Sequence, residues 1–222
     1  MSTIKFFFIF DNSRKHCEYF VHMSILKKIF GNLLSFREPA HDEEESKYLP
    51  DKEIPVDEQF TCNFKENGGK FLYCENEEEL EETFISILQE NDWFEQEALT
   101  FETRFVSLLK DNRIDYKAPK QPVFILCSCE GLVAEDGSIL FSSKQFQHFK
   151  SNELPKNMII MGRTSQILRT KSDGLRTIKN KYAGNIPTNI TTLQHFKNVK
   201  TDDFLQYGIE PKNLYLLLLE DL

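Results

Sequence analysis

The segment PVFILCSCEGLVAEDGSILFSS, residues 122–143, places the strongest constraint on the fold of this chain. Its first part, residues 122–128, is a continuous apolar run of the kind that forms strands buried on both faces. Residues 138–143, SILFSS, predict a further strand. The polar stretch Glu135-Asp136-Gly137-Ser138 separates these apolar regions. It is either a turn that only connects strands or a turn that also carries function.

Predicted strands and helices alternate along the chain around this segment. A helix begins after Asn76, which forms a capping box with Glu79, and a second helix carries Phe101, Phe105, Leu108 and Leu109. Further strands are predicted at 70–74, 157–162, 188–193 and 213–221, and a further helix at 164–182 with a weak point at Gly174. The alternation predicts an α/β fold with a largely parallel sheet flanked by helices. Ligands of such sheets bind at the carboxyl ends of the strands.

The N-terminal part of the chain is predicted to lie outside this fold. Residues 1–22 are interpreted either as a doubtful extension, because Met23 opens an amphipathic pattern in MSILKKIFGNLLSF, or as a genuine N-terminal strand or arm. Residues 23–58 are interpreted as an amphipathic helix and a charged, proline-containing linker, which leaves 59–222 as the α/β domain. The apolar run at residues 4–10 is too short to span a bilayer, so no membrane span is expected.

Composition excludes several classes of partner and cofactor. The chain has 27 basic and 35 acidic residues and a net charge of -8, which opposes nonspecific binding to nucleic acid or to an anionic membrane. Its five cysteines have no regular spacing, which favours a reducing compartment, the cytoplasm, over a disulfide scaffold. Scattered thiols also do not form a zinc or iron–sulfur site, so no cofactor is expected in the chain itself.

The Glu135–Ser138 stretch has two interpretations that spacing alone does not separate. Asp136-Gly137 is a common hairpin turn, in which glycine adopts positive φ without steric cost. Alternatively, Glu135 stands at a strand end beside the backbone N–H groups of Gly137 and Ser138, which can hold an anionic oxygen.

Four segments taken together resemble the LUD-domain family, whose best-known members are called lactate utilization protein C. They are ENGGKFLYCENEEELEE, CEGLVAEDGSILFSS, LPKNMIIMGRTSQIL and PKNLYLLLLED, in the family's order. Members carry an A-E-T-G-S/T turn after an apolar strand, then a Leu-Pro pair, then a strand that leads to a helix. Ala134, Glu135, Gly137 and Ser138 match that turn, Leu154-Pro155 match the pair, and Ser165-Gln166 open the helix.

The resemblance implies a Rossmann-like fold shared with glucosamine-phosphate deaminases, ribose-phosphate isomerases and CoA-transferases. It also implies a part in the bacterial oxidation of lactate to pyruvate, beside iron–sulfur protein partners. On this basis Glu135 is the candidate catalytic residue, and a small anionic ligand is expected at Asp136, Gly137, Ser138 and Gln166.

The sequence also departs from the family pattern. Asp136 replaces the usual threonine. Longer members of the family have a Ser/Thr-rich loop near the C-terminus, which this chain matches only loosely, at Thr201-Asp202 and Gly208. Two other functions therefore stay open. One is an isomerase or acyl-transfer enzyme with Glu135 as base or acyl-bearing carboxylate, and the other is a binding or scaffold domain without catalysis, which the degenerate loop favours.

Overall fold

The computed structural model describes residues 54–150, 153–194 and 213–222. The predicted extension at 1–22, nearly all of the predicted helix and linker at 23–58, and Thr201-Asp202 and Gly208 lie outside these residues. All described elements belong to one compact unit, Glu53–Leu222. Its first helix begins at Val56, within the segment predicted as linker.

The described elements alternate between helix and strand through most of the chain. The helices are α1 (Val56–Glu66), α2 (Glu77–Asn91), α3 (Val106–Asp111), α4 (Ser143–Phe146) and α5 (Lys171–Lys181), with short 3-10 helices at Thr103–Phe105 and Thr164–Gln166. The strands are β1 (Lys70–Cys74), β2 (Ala98–Leu99), β3 (Phe124–Ser128), β4 (Gly131–Val133), β5 (Ser138–Phe141), β6 (Asn157–Arg163), β7 (Ile167–Leu168), β8 (Thr191–Leu193) and β9 (Asn213–Leu219).

These strands form two sheets. The larger one has five parallel strands in the order β1-β9-β6-β3-β2. It is flanked by helices, which confirms the predicted α/β class with a mostly parallel sheet. The smaller sheet has the order β7-β4-β5-β8, in which β5 runs antiparallel to β4 and β8 while β7 runs parallel to β4. The sequence did not predict this second sheet.

The central strands of the larger sheet are buried on both faces. Along β3, Phe124 and Leu126 enter one apolar cluster, while Ile125 and Cys127 enter another, as the period of two in a strand requires. Helix α2 and the segment through α3 cover the first face. Helix α1 and the smaller sheet cover the second face.

Three sequence predictions need correction. Residues 164–182 are not one helix: Ile167 and Leu168 pair with β4, and Thr170 caps a separate helix, α5. The strands predicted within 138–143 and 188–193 belong to the smaller sheet. The last strand does not close the larger sheet but lies inside it, between β1 and β6.

The predicted helix around Phe101 and Leu109 begins later than expected. It is a 3-10 turn at Thr103–Phe105 followed by α3, because Glu102 is extended and directs its carboxylate to Ser128. No helix among the described residues is long and apolar enough to cross a membrane.

Helix α2 begins where the sequence predicts. The Asn76 side chain accepts a hydrogen bond from the Glu79 N–H at 2.9 Å, while the Glu79 carboxylate accepts one from the Glu75 N–H at 2.8 Å. The cap is thus confirmed, although the return bond goes to Glu75 and not to Asn76. The apolar side chains of α2 at Leu80, Phe84, Ile87 and Leu88 are buried against the larger sheet.

We expect Asn76→Ala to lower the free energy of unfolding by about 1 kcal/mol, because an N-terminal amide of α2 loses its acceptor. Chemical denaturation measures this loss. Asn76→Ser is the matched control and should retain most of the stability, since serine also caps. Equal losses in the two variants would contradict the capping role.

Candidate functional site

The Glu135–Ser138 stretch forms the turn of an antiparallel hairpin between β4 and β5. Gly137 has a φ of +67°, and its N–H donates to the Val133 carbonyl at 2.9 Å. The Ser138 N–H and hydroxyl both donate to Asp136 Oδ1, at 3.1 and 2.6 Å. The two backbone amides predicted to hold an anion therefore have acceptors within the turn itself.

Helix α1 packs directly under this turn. The Asn63 amide donates to the Ala134 carbonyl and the Asn67 amide to the Asp136 carbonyl, both at 2.7 Å. A Cβ built on Gly137 would lie 2.4 Å from the backbone of Asn63 and of Phe64. Glycine is therefore needed here both for its positive φ and for the close approach of α1.

The two acidic side chains of the turn face the N-terminus of α5. Glu135 Oε1 accepts a hydrogen bond from the Lys171 N–H at 2.9 Å, and Asp136 forms an ion pair with the Lys171 side chain. Burial raises the pKa of Asp136, but hydrogen bonds from Lys171 and Ser138 outweigh it and hold that pKa below its usual value. Glu135 and Asp136 thus place their own carboxylates at the N-terminus of α5, which could otherwise bind an anion.

Gln166 lies beside the start of β4 and not at the turn. Its side-chain oxygen accepts from the Arg163 N–H at 2.8 Å, and its nitrogen donates to the Cys129 carbonyl at 2.7 Å. The structure therefore brings Glu135, Asp136, Gly137 and Ser138 together, and it gives Gln166 separate contacts at the β6–β7 junction. A ligand role for these five residues stays a prediction.

The turn does not lie at the edge of the sheet where ligands were expected to bind. Ligands of parallel sheets bind at the carboxyl ends of the parallel strands. The turn follows β4, a strand of the smaller sheet, so it is not at the carboxyl end of a strand of the larger sheet. The residues at those ends include Ser128, the last residue of β3, Arg163, the last of β6, and Leu219, the last of β9.

A buried carboxylate lies just beyond the carboxyl end of β3. The Glu130 side chain has no exposed surface. Its Oε1 accepts from Ser142 Oγ at 2.9 Å, Tyr182 Oη at 3.0 Å and Gln145 Nε2 at 3.2 Å, and its Oε2 accepts from Lys181 Nζ at 2.9 Å. Glu130 thus joins the crossover between the two sheets to the C-terminal end of α5.

This network continues to the end of β2. Gln145 Nε2 also donates to the Ser128 hydroxyl at 3.3 Å, and that hydroxyl donates to Glu102 Oε2 at 2.8 Å. Glu102 Oε1 accepts from the Ser128 N–H at 2.6 Å, and Oε2 accepts from Arg104. The carboxylates of Glu130 and Glu102 are therefore linked through Ser128 and Gln145, near the carboxyl ends of β3 and β2. Satisfied buried networks of this kind fix a single side-chain arrangement.

Sequence reasoning missed Glu130, although it lies only a few residues before the turn. Burial alone raises the pKa of its carboxyl, but hydrogen bonds from Lys181, Ser142 and Gln145 outweigh burial, so the pKa lies below its usual value. One signal was present: a glutamate that directly follows the apolar strand FILCSC must either end the sheet or be paired.

The cysteines of the described chain are not arranged as metal ligands. Cys127 and Cys129 are both buried, and burial raises the pKa of the Cys129 thiol to about 12. Burial also raises the pKa of Cys127. Within residues 54–150, 153–194 and 213–222, no group of three or more His, Cys, Asp or Glu side chains could hold a metal ion.

Comparison with known proteins shows the family and supports the fold. A sequence model of the LUD domain matches residues 58–219, so the chain belongs to the LUD-domain family. The chain is also similar to the crystal structure of a DUF162 family protein from Deinococcus radiodurans, at 1.70 Å resolution. The TM-score is 0.54 at 16% identity, over 74% of this chain and 96% of the other, which supports the fold alone. No curated protein matches the chain.

We expect Gly137→Ala to lower the free energy of unfolding by about 2 kcal/mol or more, because the new Cβ meets the α1 backbone at a positive φ. The matched control is Gly184→Ala. Gly184 also has a positive φ, +94°, but its Cβ would meet nothing within 4 Å. Chemical denaturation should show a clearly smaller loss for the control, and equal losses would rule out the packing contribution.

Glu130→Gln should lower the free energy of unfolding at neutral pH by about 2 kcal/mol, because Lys181 then loses its buried partner. The folded-state pKa of Glu130 is depressed, so its stabilisation is present above the pKa of the unfolded chain and is lost as pH falls through the folded-state pKa. The gap between wild type and variant should therefore close on acidification below about pH 4. Denaturation curves across pH 3–7 measure it, and a gap independent of pH would contradict the assignment.

Proposed function

We propose that this protein acts in lactate utilization, the oxidation of lactate to pyruvate, as a subunit or accessory of an iron–sulfur redox system in the cytoplasm. The observation that carries the proposal is the LUD-domain match over residues 58–219. The turn with Ala134, Glu135, Gly137 and Ser138 supports it, because this is the family motif quoted from the sequence. Net charge of -8 further favours a protein or small-molecule partner over nucleic acid.

We also propose that the iron–sulfur chemistry resides in a partner protein and not in this chain. Cluster ligands are thiolates. Cys74, Cys127 and Cys129 are buried. Among the described residues, no three His, Cys, Asp or Glu side chains are close enough together to hold a metal ion, which supports this proposal.

Within this proposal Glu135 is the residue of the turn that can meet a ligand or a partner. Its side chain is exposed, whereas Gly137 and Ser138 are buried. One carboxylate oxygen accepts from Lys171, which holds the group in place at the start of α5. An isomerase or acyl-transfer reaction would use the same carboxylate, but the Gly137 and Ser138 amides would have to give up their present acceptors to bind an oxyanion.

Deletion of the gene should slow growth on lactate as sole carbon source, and the wild-type chain should restore growth. Glu135→Gln should restore it poorly, while its stability should change by no more than about 1 kcal/mol because the side chain is exposed. Glu90→Gln, an exposed change on α2, is the matched control and should complement fully. Growth rate and abundance of the chain are the measurements.

The outcomes separate the function from the site. Normal growth of the deletion strain on lactate would overturn the proposed function. Full complementation by Glu135→Gln would overturn only the role of that carboxylate. When the chain is purified from lactate-grown cells, a cysteine-rich iron–sulfur protein should co-purify with it and be identified by mass spectrometry. Absence of that protein would contradict the role as a redox accessory.

A further inference from the structure

A cleft opens at the carboxyl ends of β6 and β9. It has a volume of about 460 Å³ and lies between the N-terminal half of α2 and the segment 104–112. Ile85, Leu108 and Met161 provide the apolar side chains with exposed surface, above a floor of Leu80, Phe105 and Leu219 that is only 6% exposed at each residue. Small-molecule sites have volumes of about 300–1,000 Å³. The carboxyl edge of a parallel sheet is also where such sites occur.

Arg163 is one of the charged residues that line this cleft. It is the last residue of β6, the middle strand of the larger sheet. Its half-exposed guanidinium lies 3.7 Å from a Glu77 carboxylate oxygen and 3.6 Å from an Asp221 carboxylate oxygen. Both distances are too long for a good hydrogen bond.

The nearby carboxylate of Asp221 is held by other donors. Its oxygens accept from the Thr164 hydroxyl, the Ser165 N–H and the Ser165 hydroxyl at 3.0, 2.9 and 2.7 Å. Among the described residues, no acceptor takes a hydrogen bond from the Arg163 guanidinium. The planar fork of Arg163 is therefore available for two parallel hydrogen bonds to a ligand carboxylate.

The rim of the cleft carries side chains of both charges. Arg104 adds a second guanidinium, which is paired with Glu102 at 2.9 Å. Glu77, Glu81 and Asp111 also line the cleft. These carboxylates repel a dianion such as a phosphate ester about twice as strongly as a singly charged carboxylate. Among anionic ligands, the rim therefore disfavours a dianion more than a monoanion.

The size of the cleft indicates an apolar body on that anion. Lactate would fill only a small part of this volume and would leave the exposed surface of Ile85, Leu108 and Met161 in contact with water. A longer acyl or aryl group would instead remove these side chains from water.

We propose that this cleft binds a monocarboxylate with an apolar body, with Arg163 as the carboxylate anchor and Ile85, Leu108 and Met161 in contact with the apolar part. The inference goes beyond the proposed function, because binding here requires no part in lactate oxidation and the cleft is larger than lactate needs. It also assigns a binding role to a site that contains neither Glu135 nor any other residue of the hairpin turn.

Octanoate is a suitable probe, since it joins one carboxylate to a flexible apolar chain. The full chain is titrated with octanoate, and binding is measured by isothermal calorimetry and by NMR. Binding should be saturable and should shift the amide signals of Arg163 and Leu80. Octanamide has the same body without charge, and lactate has the charge without the body. Each should bind at least about tenfold more weakly than octanoate, because one half of the recognition is missing.

Variants test the anchor. Arg163→Gln should weaken octanoate binding at least about tenfold, while Arg176→Gln, an exposed arginine of α5 outside the cleft, should leave it unchanged. Glu77→Gln should tighten binding about two- to fivefold, because it removes a carboxylate that competes for Arg163. Glu78→Gln, which removes the same charge from the same helix turn but does not line the cleft, is its matched control.

Unchanged thermal midpoints would show that each variant is folded. Absence of saturable octanoate binding would overturn the proposal, as would equal binding of octanamide. Full retention of binding by a folded Arg163→Gln, or equal effects of Glu77→Gln and Glu78→Gln, would remove Arg163 as the anchor and overturn it as well.

Discussion

Burial of both faces of the larger sheet is the constraint on which the rest of this structure depends. Along β3, β6 and β9, alternate side chains enter two separate apolar clusters, so each face needs its own cover. Helix α2 and the segment through α3 cover one face. The other face is covered by α1 together with the smaller sheet, which explains why the chain leaves the larger sheet after β3 to build a hairpin.

That cover explains the polar interruption in the opening segment. The hairpin must turn over α1, and the space between turn and helix admits only glycine at position 137. The acidic residues of the turn then serve the neighbouring α5, through the Lys171 N–H and the Lys171 side chain. Folding thus accounts for Asp136, Gly137 and Ser138, while Glu135 is exposed and accepts a hydrogen bond from the Lys171 N–H through one carboxylate oxygen.

The sequence predicted those features of the fold that depend on residues close together in the chain. Residues 122–128 and 157–162 read correctly as buried strands because both-face burial is visible in local composition, and Asn76 read correctly as a cap because the cap is set within four residues. Partition of strands between two sheets could not be predicted. It depends on distant pairings such as Ile139 with Leu193.

The same limit applies to the candidate sites. The turn was found because its residues are contiguous, but its relation to the larger sheet was misjudged, since a hairpin and a parallel strand end share the same local pattern. Glu130 was missed because the partner that neutralises it, Lys181, is 51 positions away. Arg163 was missed because a lone arginine after a strand has no local signal, and only the fold places it beside Leu80 and Phe105.

The position of β9 has a consequence for how this protein is made. β9 is the last described strand in the chain, yet it lies between β1 and β6 and joins them. During synthesis β1 therefore emerges long before its partner, and β6 exposes an open edge until residues 213–219 leave the ribosome. Closure of the larger sheet therefore has to wait for β9, whose insertion joins β1 to β6.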